Sequence, residues 1–239
     1  MKITKYIPDT ITSMNLLCGV VGVVFAFKGR FDLAFPLMLA ASVFDFLDGM
    51  AARLLDAYSD MGKELDSLAD LVSFGVLPAV MLFNLMKACT FSETVWCYVP
   101  LVIVIFSALR LAKFNVDDRQ HSSFIGLPTP SCAMICGSLC YFIAYESDSF
   151  LATWAGGNVF IPALAIVLSF LLVCNLPMFS IKISKNDEKI LIRKRIAMLL
   201  NAVIVVAIVA IVGLNWSMAV LLTFVVYVLM NVVFWLARI

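Results

Sequence analysis

The sequence predicts an all-α, polytopic membrane helix bundle with about eight transmembrane helices. Three observations lead there. The 239 residues are 63% hydrophobic and only 14% charged, with a mean hydropathy of +1.04. Soluble domains sit near half apolar and a quarter charged, so no water-soluble core would hide this much apolar surface. The apolar residues also gather into runs close to the 20 or so residues needed to cross a bilayer. Finally, the basic residues collect at alternate ends of those runs.

The expected spans are 11–27, 33–55, 65–86, 95–111, 129–145, 159–176, 196–214 and 218–236. The opening residues carry Lys2 and Lys5 before an apolar stretch, with no convincing small-residue cleavage site, and read as the flank of an uncleaved first span. One set of span ends holds Lys2, Lys5, Arg53, Lys63, Arg110, Lys113, Arg119, Lys182, Lys185, Lys189, Arg193, Lys194, Arg195 and Arg238, which is 14 of the 17 basic residues. The opposite ends hold Lys28, Arg30 and Lys87. The expectation is a multi-pass protein of the cell membrane with both termini cytoplasmic. Trp96, Trp154 and Trp216 then fall at outer boundaries, where indole rings favour the interface.

The stretch 180–195 is the one long polar loop. It divides residues 1–179, six spans, from 196–239, two more. Its basic residues serve as a topology signal or as a contact for anionic lipid. Cys132, Cys136 and Cys140 recur at helical spacing, and small residues of this kind suit helix packing better than metal binding. The lone His121 makes no metal site by itself. A formal net charge of +1 points to no nucleic-acid partner.

The chemistry concentrates between residues 45 and 70. Asp45 and Asp48 share a helix face, with Gly49 and Ala52 on the same stripe. Gly62, Asp66 and Asp70 repeat at spacings of four on the next helix, after a short polar turn. The two helices are expected to be antiparallel neighbours with facing stripes. An ionised carboxylate costs about 2.5–3.5 kcal/mol at the centre of a membrane helix, so several on converging faces need compensation. Divalent cations supply it, and oxygen ligands suit magnesium or manganese. Four carboxylates are enough for two ions of the kind used in phosphoryl displacement. The glycines and the alanine leave room for a nucleotide, and Arg53 offers a cation to phosphate or to an aspartate. Asp56 and Asp60 read instead as solvated helix ends.

Asp45-x-x-Asp48-Gly49-x-x-Ala52-Arg53, eight residues, then Gly62-x-x-x-Asp66-x-x-x-Asp70 resembles the CDP-alcohol phosphotransferase signature at every fixed position. Pro8-x-x-x-Thr12-x-x-Asn15 is similar to the family's first-helix motif, with Asp9 where asparagine is usual. The resemblance covers roughly residues 8–176. It implies a six-helix catalytic core, a homodimer and two divalent metals. Asp45, Asp48 and Asp66 would be ligands, and Asp70 both ligand and catalytic base. Gly49, Ala52 and Gly62 would cradle the cytidine nucleotide, with Arg53 and Asn15 alongside.

Two further stretches resemble the phosphatidylserine synthase branch of that family: Gly62 to Gly75, and Leu109 to Asn115 followed by Phe124 to Pro130. The resemblance implies CDP-diacylglycerol and L-serine as substrates, with CMP released. Arg110, Lys113, Asn115 and Gly126 are the candidate serine-binding residues. Read from the residues alone, Arg110 and Lys113 are equally basic anchors at a cytoplasmic boundary. A phosphatidylglycerophosphate or phosphatidylinositol-phosphate synthase is the rival within the family. Outside it stands a cation-coupled transporter, although such sites usually sit on broken helices near the midplane.

Overall fold

A computed structural model of the chain describes residues 6–90, 94–116, 124–178 and 189–236. In chain order it contains α1 (Tyr6–Phe27), α2 (Phe31–Leu54) and α3 (Asp60–Asp70). A π-helical stretch, Leu71–Val76, leads without a break into α4 (Leu77–Thr90). A 3-10 stretch, Val95–Leu101, opens α5 (Val102–Val116). Then come strand β1 (Phe124–Ile125), α6 (Thr129–Tyr145), α7 (Phe150–Ala155), α8 (Phe160–Val173), strand β2 (Pro177–Met178), α9 (Lys189–Val212) and α10 (Trp216–Leu236).

Five helices among the described residues are long and apolar enough to span a membrane, and three shorter apolar ones complete the expected set. His121 and most of the polar loop 180–195 lie outside the described residues. The part of that loop that is described, from Lys189, is already helical, so α9 begins earlier than the expected span at 196. Its Lys, Arg, Leu and Ile residues are competent helix formers, and charge alone does not stop a helix at a membrane boundary. The short helix α7 was not expected. Ser149 caps it, its hydroxyl accepting from the Ala152 N–H at 3.3 Å. The helical bundle is as expected, with one small antiparallel ribbon of two residues a side: β1 pairs with β2, Phe124 opposite Met178. It ties the entry to α6 to the exit of α8.

The first helix organises the bundle. Its buried residues are Pro8, Thr12, Asn15, Gly19, Gly22 and Ala26, alternating steps of three and four that mark one helical face. A side chain on Gly19 would collide with Ser73, and a Cβ on Gly22 would lie 2.7 Å from Leu77 Cδ2. These glycines therefore let α1 lie close against the 31-residue rod Asp60–Thr90. In a bilayer, close packing of this kind replaces the hydrophobic effect as the force between helices. On its other side α1 packs along α2.

The core centres on α6, buried almost throughout, against Phe35, Met38, Met81 and Leu82. Cys132, Cys136 and Cys140 are fully buried in it as free thiols. Gly137 lets Phe35 approach, since a Cβ there would meet the Phe35 ring at 2.7 Å. The last helix, α10, runs along α6. Its Trp216 stacks on Phe35 at 5.4 Å and meets Tyr141 at 4.9 Å.

Candidate active site

Because α1 packs against both, α2 and α3 hardly touch each other. The sequence reading put them side by side; the structure separates them by a gap floored by α1. The carboxylates still converge across that gap. One oxygen each from Asp45, Asp48 and Asp66 lies within 4.8 Å of the others. Oxygens sharing one magnesium or manganese at about 2.1 Å sit at most about 4.2 Å apart, so the cluster is near binding geometry. A small inward rotation of the side chains, or a second ion between them, closes the difference.

The floor of the gap supplies polar support. Thr12 Oγ1 donates to Asp48 Oδ2 at 2.6 Å, and both residues are buried. Asn15 Nδ2 donates to Asp70 Oδ1 at 3.3 Å. Ser73 Oγ in turn donates to the Asn15 carbonyl at 3.1 Å, so α1 is pinned to the rod on both sides of Asp70. The Asn15 side-chain oxygen is buried and has no hydrogen-bond partner among the described residues. Buried polar atoms are normally satisfied, so this one marks a place for a ligand or an ion. Asp70 lies within electrostatic reach of Asp45, Asp66 and Arg110. Four carboxylates around one gap, Asp48 and Asp70 buried and Asp45 and Asp66 half-buried, fit a site built for divalent cations.

The π-helical stretch begins immediately after Asp70. Such stretches carry an extra residue per turn and recur at functional sites. Here the one stretch sets Asp66 and Asp70 toward the gap while Phe74 and Leu77 stay in the core. At the other end of α3, Ser59 caps the helix, accepting from the Gly62 N–H at 2.9 Å. A Cβ on Gly62 would lie 2.9 Å from Asp9 Oδ1, so the acidic residue that replaces asparagine stands directly over the glycine. Gly49 faces open space, the Arg53 guanidinium at 3.8 Å being the nearest group to a Cβ built there, and Ala52 is half-buried one turn on. Arg53 is exposed and its Nε donates to the Gly49 carbonyl at 2.8 Å, on its own helix. Asp56 and Asp60 are exposed, as expected of helix ends.

The four serine-binding candidates divide. Arg110 is buried beside the carboxylates, its Nη1 donating to Thr129 Oγ1 at 2.9 Å and its guanidinium 5.7 Å from the Phe114 ring centre. Asn115 is committed elsewhere: its Nδ2 donates to Ser67 Oγ at 2.9 Å, and its carbonyl accepts from Lys63 Nζ at 2.9 Å. It clasps the outer side of α3. Lys113 is exposed and reaches Asn175 Oδ1 at 3.1 Å. Gly126 has φ +83°, and a Cβ would meet the Leu172 carbonyl at 2.5 Å, so backbone packing accounts for this glycine. Sequence reasoning left Thr12 and Ser73 without a role. Their signal was polarity on buried faces of membrane helices, which favours contact with the bundle interior.

Residues 5–174 match the profile of the CDP-alcohol phosphatidyltransferase family. The chain belongs to that family. Among curated proteins it is 39% identical over 130 residues to a CDP-diacylglycerol–serine O-phosphatidyltransferase of Bacillus subtilis, covering 54% of this chain and 72% of that protein. It is 34% identical over 182 residues to a protein of the same name from Mycobacterium leprae, covering 73% of this chain and 58% of the relative. An archaetidylserine synthase of Methanothermobacter thermautotrophicus is 35% identical over 152 residues, covering 62% of this chain and 63% of the relative. The family match ends before α9 and α10.

Proposed function

We propose that the chain is a CDP-diacylglycerol–serine O-phosphatidyltransferase, moving the phosphatidyl group to the hydroxyl of L-serine and releasing CMP. The observation that carries this is the convergence of Asp45, Asp48 and Asp66 oxygens within 4.8 Å, beside Asp70 and Arg110. The names of the bacterial and archaeal relatives support serine as the acceptor.

In this reading Asp45, Asp48, Asp66 and Asp70 hold two divalent ions, Mg2+ or Mn2+. Bound there, the ions supply charge neutralisation for the pyrophosphate and the departing CMP. Thr12 orients Asp48 by engaging Oδ2, which leaves Oδ1 for a ligand. Asn15 engages Asp70 Oδ1, which leaves Oδ2 to take the proton from the serine hydroxyl. The serine oxygen bonds to the lipid-linked phosphorus as the bond from that phosphorus to the CMP oxygen breaks. No protein nucleophile takes part. The open face at Gly49, with Ala52 and Gly62, receives the cytidine, with Asn15 beneath and Arg53 free to swing from its own helix to a phosphate. Arg110 receives the serine carboxylate, the bidentate contact to which a guanidinium is suited. Lys113, exposed one turn on, is a second cation for the acceptor, while Asn115 and Gly126 act indirectly, through the clasp on α3 and the turn before α6.

The reading also places the enzyme in the cell membrane as a homodimer, with both termini and the site on the cytoplasmic side. The distribution of basic residues supports that orientation, and the family resemblance supports the dimer. Residues 1–179 form the catalytic core, 180–195 a basic cytoplasmic segment and 196–239 an added pair of spans. The test is CMP release from membranes containing the chain. It should require CDP-diacylglycerol, serine and a divalent metal together, and glycerol 3-phosphate in place of serine should give none. Asp70→Asn should abolish turnover in metal-loaded enzyme, and near-normal activity would reject the base assignment.

A further inference from the structure

Asn15 uses its side-chain nitrogen on Asp70 and leaves its side-chain oxygen without a task. The residue lies on the buried face of α1, one turn beyond Thr12 and one turn before Gly19, and is fully buried. Chemistry orients its amide. The atom 3.3 Å from Asp70 Oδ1 meets a carboxylate oxygen, so it is the donating Nδ2. Ser73 Oγ donates to the Asn15 carbonyl at 3.1 Å and steadies the backbone beneath. Amide bond lengths put Oδ1 about 2.2 Å from Nδ2, so it lies no more than about 5.5 Å from Asp70 Oδ1. No hydrogen-bond donor among the described residues reaches it. Full burial also means that no water-sized space adjoins it. Its lone pairs repel the oxygens of a phosphate or a carboxylate. What suits it is positively charged and smaller than water.

We infer that Asn15 is itself a metal ligand, its side-chain oxygen completing the shell of the divalent cation that Asp70 holds. Hard cations take amide oxygens beside carboxylates. Two octahedral ions call for about twelve ligand positions, and four carboxylates offer at most about eight oxygens. A neutral oxygen fills one of the remaining positions without adding a fifth negative charge to the four aspartates. The inference rests on the reading of those aspartates as a divalent-metal centre, and it holds whichever alcohol is the acceptor.

The test uses the purified full chain in lipid–detergent micelles, metal-free and without either substrate. Binding of Mn2+ is read from the loss of the free ion's paramagnetic resonance signal. Asn15→Leu keeps the bulk and removes the amide, and should weaken Mn2+ binding at least about tenfold. That loss alone does not separate a ligand from a group that acts through Asp70, so Asn15→Cys is loaded with Cd2+. A soft ion bound by a thiolate gives a sulfur-to-metal charge-transfer absorption, and only a side chain in contact with the ion produces it. Asn15→Cys should show this band above the parent, whose seven native cysteines set the background. Asn15→Ala, loaded in the same way, should show none above it. A folded Asn15→Cys protein with no added band overturns the inference and leaves Asn15 as a support for Asp70. An unchanged Mn2+ affinity in Asn15→Leu overturns it as well. If the parent chain takes up no Mn2+, the metal centre itself fails and the Asn15 assignment falls with it.

Discussion

Thr12→Val isolates the floor of the carboxylate cluster. Valine keeps the volume and shape of threonine and removes the hydroxyl that donates to Asp48 at 2.6 Å. That distance is in the range of hydrogen bonds to an ionised acceptor. Thr12 is 3% exposed and Asp48 6%, so water does not replace the lost donor. A buried bond to a charged group is worth about 1.5–3 kcal/mol. In a metal centre such a loss appears as weaker ion binding, typically about 10–100-fold, because the supporting donor orients the ligand. The assay is CMP release titrated with Mg2+ and with Mn2+. The midpoint should rise by about that factor, with near-normal kcat recovered at saturating metal. Thr12→Ser keeps the hydroxyl and should titrate like the parent. An unchanged midpoint in Thr12→Val, with the protein folded, would refute the claim that Thr12 organises a metal ligand.

Two other substitutions probe the same neighbourhood. Asn15→Ala removes the donor to Asp70 and the buried amide beneath the nucleotide face, and should lower kcat by about 10–100-fold and raise the KM for CDP-diacylglycerol; steady-state kinetics in both substrates would check it. Gly19→Ala forces a methyl group into Ser73, and overpacking of this kind costs about 1–3 kcal/mol, visible as a lower melting temperature in detergent.

The membrane class and the order of the spans were legible because apolar run length and basic flanks are nearly sufficient to define a bundle in lipid. The aspartates were legible because an acid deep in an apolar helix needs a partner. Their convergence was expected from the facing stripes, and the oxygens of Asp45, Asp48 and Asp66 do converge; the packing beneath them was not legible. Spacing places Asp45 beside Asp48 and Asp66 beside Asp70, but it cannot say that α1 separates the two helices at their base. Nor does the string Leu71–Val76 announce a wide turn, since its residues would serve equally in a regular helix. Lys113, Asn115 and Gly126 came with Arg110 from the resemblance to the serine branch, and the residues alone did not show what each one touches. Asn115 turned out to clasp Ser67 and Lys63, and Gly126 to clear the Leu172 carbonyl. These are long-range contacts, and local pattern carries no information about them.

The wide turn after Asp70 gives chain length a meaning that side-chain identity lacks there. A residue removed between Leu71 and Val76 would take out its own contacts, whether the Ser73 bond to Asn15 or the packing of Phe74. It would also rotate everything upstream by about 100° relative to the buried half of the rod. Asp66 and Asp70 would then swing off the gap while every hydropathy profile stayed the same. A deletion in this hexad thus does what no single substitution there does, and the phase of the rod is itself part of the catalyst.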